Sequence, residues 1–531
     1  MRTKNLPSVK RKQDPIMVLT NFRGLNNRNV STEIDDNEAQ TLRNIDFTQT
    51  DGIKKRNGTN IVANDKGADP VLGVHSAYYG NGSAHMLMAS QSAATSGLWY
   101  RAGTGATWTE VTLNAGGTKL ANANISMEDF YDGTDEMTFL ADGTKFQKYK
   151  TADNKIYDAT TIPGTSVEDV KILKLYKNRL YATGSATHPE RVWFSALGDG
   201  DSWGADDWFQ VPSESTNEES RAGDPITAVE IFQDRLFVFK NRSVWYWTGS
   251  SLRELTASHG CVGPRAVAAS NNHLYFADND GMYRIVGTYV EKVSKKIQGT
   301  WDVIPAARIG SIAMIYDKEK IYVATAAAGG AQNNIILVNY IDFPIDNERQ
   351  QPWSYWSGDA DDDTDVLAVS QFASYEATSV TLPILCYGSA IIQSTVIQLN
   401  TGIGDYNHGT PGQTVAIEAY YKTKDYPLIA RYRKLFAIYK SQSTASFLKV
   451  TANIDFGERS RVFNFAMQIG GDVYGTGVYG TAAYGGQNAV IAKGSVSNRG
   501  RYINYNIHNS SIDQPWTLWE LKQIYKKIQL R

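Results

Sequence analysis

Two cysteines in 531 residues, Cys261 and Cys386, are too few for a disulfide framework, and no close Cys-x-x-Cys pair exists. Both read as small buried side chains of an intracellularly folded protein. Histidine is equally sparse: the seven are scattered, and no two have the spacing of a zinc site. No apolar run approaches the ~18 residues of a membrane span, so none is expected. The basic lead from Met1 to Asp14 has no apolar stretch after it and does not read as a signal peptide. Net charge is nearly absent as well. The 53 basic and 55 acidic side chains leave −2, which gives no reason for long-range attraction to DNA or to an anionic membrane. Gly-x-Ser-x-Gly and the phosphate-binding glycine motifs do not occur. No catalytic residue, cofactor or metal is therefore expected, and the chain does not read as an enzyme.

What the sequence does hold is glycine and aromatics, 45 Gly, 30 Tyr and 12 Trp, the composition of a turn-rich β protein. Between Val71 and Asn400 a short apolar strand ending in a polar turn recurs, followed about ten residues on by a strand with an aromatic. Asn178-Arg-Leu-Tyr181 precedes Arg191-Val-Trp-Phe194, and Asp234-Arg-Leu-Phe-Val-Phe239 precedes Ser243-Val-Trp-Tyr-Trp247. Asn272-His-Leu-Tyr-Phe276 precedes Gly281-Met-Tyr-Arg-Ile285. Equivalent positions Leu98, Phe146, Val192, Val244, Met282 and Ile336 lie 48, 46, 52, 38 and 54 residues apart. Those intervals suit four-stranded blades, so residues 71–408 are expected to form a β-propeller of six or seven blades.

At this length two or three domains are expected. Residues 1–70 read as an N-terminal arm and docking segment, with Asp35 or Asp36 capping a short helix through Ala39, Leu42 and Arg43. Asn44-Ile-Asp-Phe47 reads as a strand, Asp51-Gly52 as a hairpin turn, and Lys54, Lys55 and Arg56 as a compact basic cluster. Asp405 to Gly412 is the clearest linker. Beyond it, alternation in Phe447–Phe456, with Leu448, Val450, Ala452, Ile454 and Phe456 on one face, points to a β-sandwich-like domain over residues 409–531. Within it Tyr474, Tyr479 and Tyr484 recur every five residues in the Gly-rich loop 471–486, as anchors for a neighbouring subunit.

Two other clusters invite chemistry. The acidic run Asp359, Asp361, Asp362, Asp363 and Asp365 lacks the glycine and closing glutamate of a calcium loop and reads as solvated. Trp203 and Trp208 read as staples of a long loop. Neither Ser195–Trp203 nor Gly103–Trp108 has the aspartate that glycosidase propellers carry in such turns.

The opening resembles the N-terminal region of tail nozzle proteins of short-tailed bacteriophages, the tail tubular protein B family. The matching positions are Gly24 and Leu25, Asn44 through Phe47 with Asp46, and Gly52 through Thr59. The family more often has proline where this chain has Asn57. The resemblance implies a structural protein of a virion tail or neck, made in the host cytoplasm. It also implies copies arranged in a ring of six, tail adaptor or portal-side partners, and DNA passing through the lumen without sequence recognition. The alternative expectation is a receptor- or glycan-binding propeller at the tail tip, with Trp203, Trp208, Trp245 and Trp247 as stacking platforms.

Overall fold

The apolar runs at the centre of each repeat fold as strands covered on both faces. The computed structural model of the chain describes residues 14–528 apart from 49–51, 65, 68, 81, 91–96, 104, 106, 115–119, 121–124, 164–168, 213–223, 347–348, 359–366, 377–382, 392–393, 408–413, 441–446, 468–488 and 510–513. It divides into two compact units, residues 57–417 and residues 1–56 with 418–531. The sequence had placed these boundaries at 70 and 408.

The first unit is a seven-bladed propeller of antiparallel four-stranded sheets. The innermost strands of blades 1 to 7 are Val71–Tyr78, Ser126–Tyr131, Ile172–Tyr176, Ile226–Phe232, Val267–Ala269, Ala313–Asp317 and Val369–Tyr375. Each lies against the next, and the seventh returns to the first. Blade 2 gains a fifth strand, Thr112–Leu113, parallel to Lys155–Asp158. Second strands such as Arg235–Lys240 and Leu274–Asp278 are buried on both faces, because a neighbouring blade covers each side. That double coverage makes them continuous apolar runs rather than alternating ones. Between blades the contacts are apolar: Leu87, Leu98, Leu140 and Tyr149 join blades 1 and 2. Phe139, Leu180 and Trp193 join blades 2 and 3.

Turns explain the recurrent polar dipeptides. Lys177–Asn178, Gln233–Asp234 and Lys318–Glu319 each place two successive residues at positive φ. Such two-residue turns match the twist of the strands they join. Closure uses sequence from the other end of the unit. Asn60–Ile61 is the outer strand of blade 7, with Ile61 opposite Ile397 and Asn60 opposite Gln398.

The second unit is one eleven-stranded sheet, nearly closed on itself and sandwich-like in burying one face. Four strands before residue 56 join seven after residue 418: Ile16–Leu19 pairs with Thr517–Lys527, and Ala39–Arg43 with Ala419–Thr423. The expected helix at residues 35–43 is thus a strand. A bulge between Ala39 and Thr41 shifts the register, so Ala39, Leu42 and Arg43 are buried at a spacing that mimics a helix. Leu448, Val450, Ala452 and Ile454 share the buried face as expected. Phe456 does not; it turns out of the strand at φ 58° and is 64% exposed.

Both cysteines are buried in the propeller and unpaired with one another. Burial pushes each thiol up to about 12. Ellman's reagent at pH 8 should therefore leave the native protein unlabelled and modify both thiols once urea unfolds it; rapid labelling of the native protein would contradict this packing.

Candidate functional site

The inner strands of a propeller converge on its axis, and their axial edges have no strand to pair with. In this chain side chains of neighbouring blades meet that demand. The Leu173 and Leu175 amides of blade 3 donate to Ser126 Oγ at 3.0 Å and Glu128 Oε1 at 3.1 Å, both from blade 2. In blade 1 the Val74 amide donates to Gln371 Oε1 at 3.2 Å and the Tyr78 amide to Asp129 Oδ2 at 3.1 Å. A buried amide without a partner costs about 1–3 kcal/mol, which bears most on the buried Val74 and Leu173 and least on the exposed Tyr78.

Arg265 meets the carbonyls. It stands just before blade 5, where Gly263 passes so close to Gly310 that a Cβ would lie 2.3 Å from the Gly310 carbonyl oxygen. From there the guanidinium donates to the carbonyls of Leu72 at 2.6 Å, Ser370 at 3.1 Å and Ile125 at 3.3 Å, on the sides of blades 1, 7 and 2. No carboxylate lies within 4 Å of it among the described residues, and burial lowers the group to about 10.

Above this clasp is a cavity of about 180 Å³, lined among others by Ser126, Glu128, Lys174, Glu230, Arg265 and Gln371. Lys174 Nζ lies 2.9 Å from Glu230 Oε1. Burial alone would lower Lys174, but the charges of Glu230 and Glu128 outweigh it and hold the ammonium above the usual lysine range. Burial raises the Glu128 carboxyl, only partly opposed by Lys174 and the Leu175 amide. Beside them His75 Nε2 lies 2.9 Å from Asp129 Oδ1. Burial would lower His75, yet the charge and hydrogen bond of Asp129 raise it overall. The hub is therefore not plain packing. It offers a carboxyl that keeps its proton unusually long, an ammonium–carboxylate pair and an amide, which can bind hydroxyl groups and could move a proton.

A second cluster lies in blade 5 and the loop before it. Single ligand atoms of His259, Asp278 and Asp280 fall within 4.8 Å of one another, so these three could hold a metal ion. His259 Nδ1 is 3.3 Å from Asp278 Oδ2, and Lys292 Nζ is 3.1 Å from Asp280 Oδ2, where it serves as the cation. Burial raises Asp278. At Asp280 burial is overcome by the bonds from Lys292 and Tyr283, which lower it.

The residues singled out in the sequence are placed differently. Gly24, Leu25, Asn44, Asp46, Phe47, Gly52, Lys55 and Arg56 are all buried within the second unit. Arg56 is 2% exposed, and its Nε donates to Asn44 Oδ1 at 2.9 Å. Lys54 is half-buried, 3.2 Å from Asp46. Trp203 and Trp208 pack on the core between blades 2 and 3, Trp208 under the Arg191 guanidinium at 4.0 Å. Trp247 stacks on Phe209 at 4.4 Å, and the Trp245 indole donates to Ser243 Oγ at 3.1 Å. Tyr474, Tyr479 and Tyr484, like the acidic run from Asp359 to Asp365, lie outside the described residues. None of the described residues among these lines the hub cavity. The hub residues are the polar positions of half-polar first strands such as Ser126–Tyr131, and only the repeat register could have marked them.

No family model and no curated protein matches the chain. Among solved structures it is similar in fold to the extracellular domain of a protein described as a one-component system of B. thetaiotaomicron. The identity is 10%, the match covers 91% of this chain and 63% of that one, and the TM-score is 0.42. It is also similar to the exo-β-1,3-galactanase of Phanerochaete chrysosporium with galactose, at 9% identity, 78% and 98% coverage and a TM-score of 0.26. A third is the calcium-binding protein regucalcin of Agrobacterium tumefaciens, at 10% identity, 52% and 90% coverage and a TM-score of 0.31. The chain spans less than two thirds of the length of the first of these.

Two expectations are corrected. The expectation of no metal and no enzyme does not stand beside His259, Asp278 and Asp280, whose ligand atoms lie close enough together to hold a metal ion. The virion vocabulary that came with the tail nozzle resemblance is also corrected: the solved structures named above are described as an extracellular domain, a galactanase and a calcium-binding protein, none as a viral tail protein.

Two predictions follow from the hub geometry. Arg265→Met strands three buried carbonyls and should destabilise the protein by roughly 2–5 kcal/mol in urea unfolding; a loss within ±0.5 kcal/mol would show that the clasp is dispensable. His75 is raised in the fold, so its contribution is complete below the ordinary histidine value and is lost as pH rises through the raised one. The melting-temperature gap between wild type and His75→Gln should accordingly be largest near pH 5.5 and shrink by pH 8.5; a gap that grows with pH would reverse the assignment.

Proposed function

We propose that the chain is a ligand-binding propeller whose hub takes a saccharide unit. The observation that supports this most is the cavity where Glu128, Lys174, Glu230 and Gln371 converge on the axis from four blades. Acceptor and donor groups alternate around it, as the hydroxyls of a sugar require, and their protonation is displaced by burial and by one another. The cavity suits one small polar molecule rather than a long apolar one.

A glycan array followed by calorimetric titration tests the reading. Wild type should retain at least one saccharide class. Glu230→Gln and Lys174→Met should weaken binding at least tenfold, about 1.4 kcal/mol, while Trp247→Ala leaves it within twofold. Release of reducing sugar by wild type but not by Glu128→Gln would extend the reading to hydrolysis. No retained glycan, or binding indifferent to all three hub variants, would overturn it.

A further inference from the structure

A second cavity, of about 310 Å³, lies between blades 5 and 6 and shares no lining residue with the hub. It sits at the far end of the inner strands: Arg265 precedes Val267–Ala269, whereas Ser270 follows it. Local sequence places each wall. His273 stands just before the second strand of blade 5 and Tyr275 within it, two residues on and so on the same face. Ser270 Oγ holds the turn that leads there, donating to the His273 carbonyl at 2.9 Å and accepting from its amide at 3.1 Å. From blade 6, Tyr316 comes from the inner strand, Glu319 from the turn after it, and Gln351 from just before the outer strand Trp353–Ser357.

Three polar atoms in these walls are buried without a hydrogen-bond partner: Gln351 Oε1, Tyr275 Oη and His273 Nδ1. Gln351 is 6% exposed and Tyr275 0%. The role of the first is fixed. Gln351 Nε2 donates to the Ile341 carbonyl at 2.8 Å, which leaves Oε1 as an acceptor in need of a donor. Arg284 stands directly opposite Tyr275 on the next strand, and its Nε and Nη2 donate to Glu291 Oε2 at 3.1 and 2.8 Å. Its charge still reaches the cavity. Burial and then Arg284 lower His273, so that ring is neutral at pH 7, and Arg284 opposes the rise that burial gives the Tyr275 hydroxyl. Buried polar atoms left unmet are costly, and a molecule that meets them recovers that cost.

We propose that this cavity binds an uncharged aromatic ring carrying an O–H or N–H donor, of the size of phenol or indole. The donor answers Gln351 Oε1, while the Tyr275 hydroxyl and the neutral His273 ring can each give or accept a second bond. Tyr275, Tyr316 and Phe343 supply aromatic walls for the ring. A cavity of about 150 Å³ suffices for benzene, so this one has room for a substituted or fused ring. Charge of either sign is disfavoured. Arg284 in the wall repels a cation, and the exposed Glu319, which accepts from the Tyr316 hydroxyl at 3.1 Å, repels an anion. This inference does not rest on the saccharide reading of the hub.

Saturation-transfer NMR of the full chain with each probe at about 1 mM, followed by titration, provides the test. Phenol and indole should bind. Toluene, which lacks a donor, should bind more weakly by roughly fivefold, as should para-hydroxybenzoate and tyramine, which add a charge of either sign. Tyr275→Phe should lower the affinity for phenol by roughly fivefold and leave the melting temperature unchanged, because the hydroxyl it removes has no partner. Gln351→Met should lower that affinity as well. No binding of phenol or indole, tighter binding of either charged analogue, or phenol binding indifferent to both variants overturns the proposal. So does a lower melting temperature for Tyr275→Phe, which would mean that Arg284 or an ordered water already meets the hydroxyl.

Discussion

Everything in the propeller depends on how the axial edges of its inner strands find hydrogen-bond partners. A blade satisfies its own interior, strand against strand, but its first strand always presents one edge to the axis. Here the answer is given by side chains reaching between blades: Ser126, Glu128, Asp129 and Gln371 accept from edge amides, and Arg265 donates to edge carbonyls. Because these bonds run from one blade to another, they fix the blades' relative register as well as satisfying the backbone. The Arg265 backbone takes part too, since its carbonyl accepts from the Met314 amide of blade 6.

The same economy creates the candidate site. Carboxylates and an ammonium brought inside for structural reasons are desolvated, and their protonation shifts. A hub built to hold blades together thus presents a small polar chamber. Glu128 shows the double role most plainly, accepting from the Leu175 amide while lining the cavity. Arg265 closes the chamber through carbonyl dipoles rather than a counter-charge, so it adds no negative group to compete with a ligand.

How far the residues announced this depends on what each position had to do. Second strands, covered on both sides, read as apolar runs, and the spacing of their successors marked a bladed wheel. First strands are half polar because they serve the axis, which hid both them and the hub. The segment at Ala39–Arg43 misled because a bulge gives a strand the burial spacing of a helix. Lys55 and Arg56 looked like a surface cluster, yet both are core residues, Arg56 bound to the Asn44 carbonyl oxygen of its side chain. Pairing of the opening strands with strands beyond residue 418 left no local mark at all.

Hydrogen exchange at single-amide resolution tests the central point most directly. If side chains of adjacent blades truly occupy the axial edges, the amides of Val74, Tyr78, Leu173 and Leu175 should exchange as slowly as those inside the ladders of the same blades. Exchange of these four at the rate of open loops, with the ladders still protected, would mean that the hub is held by something else.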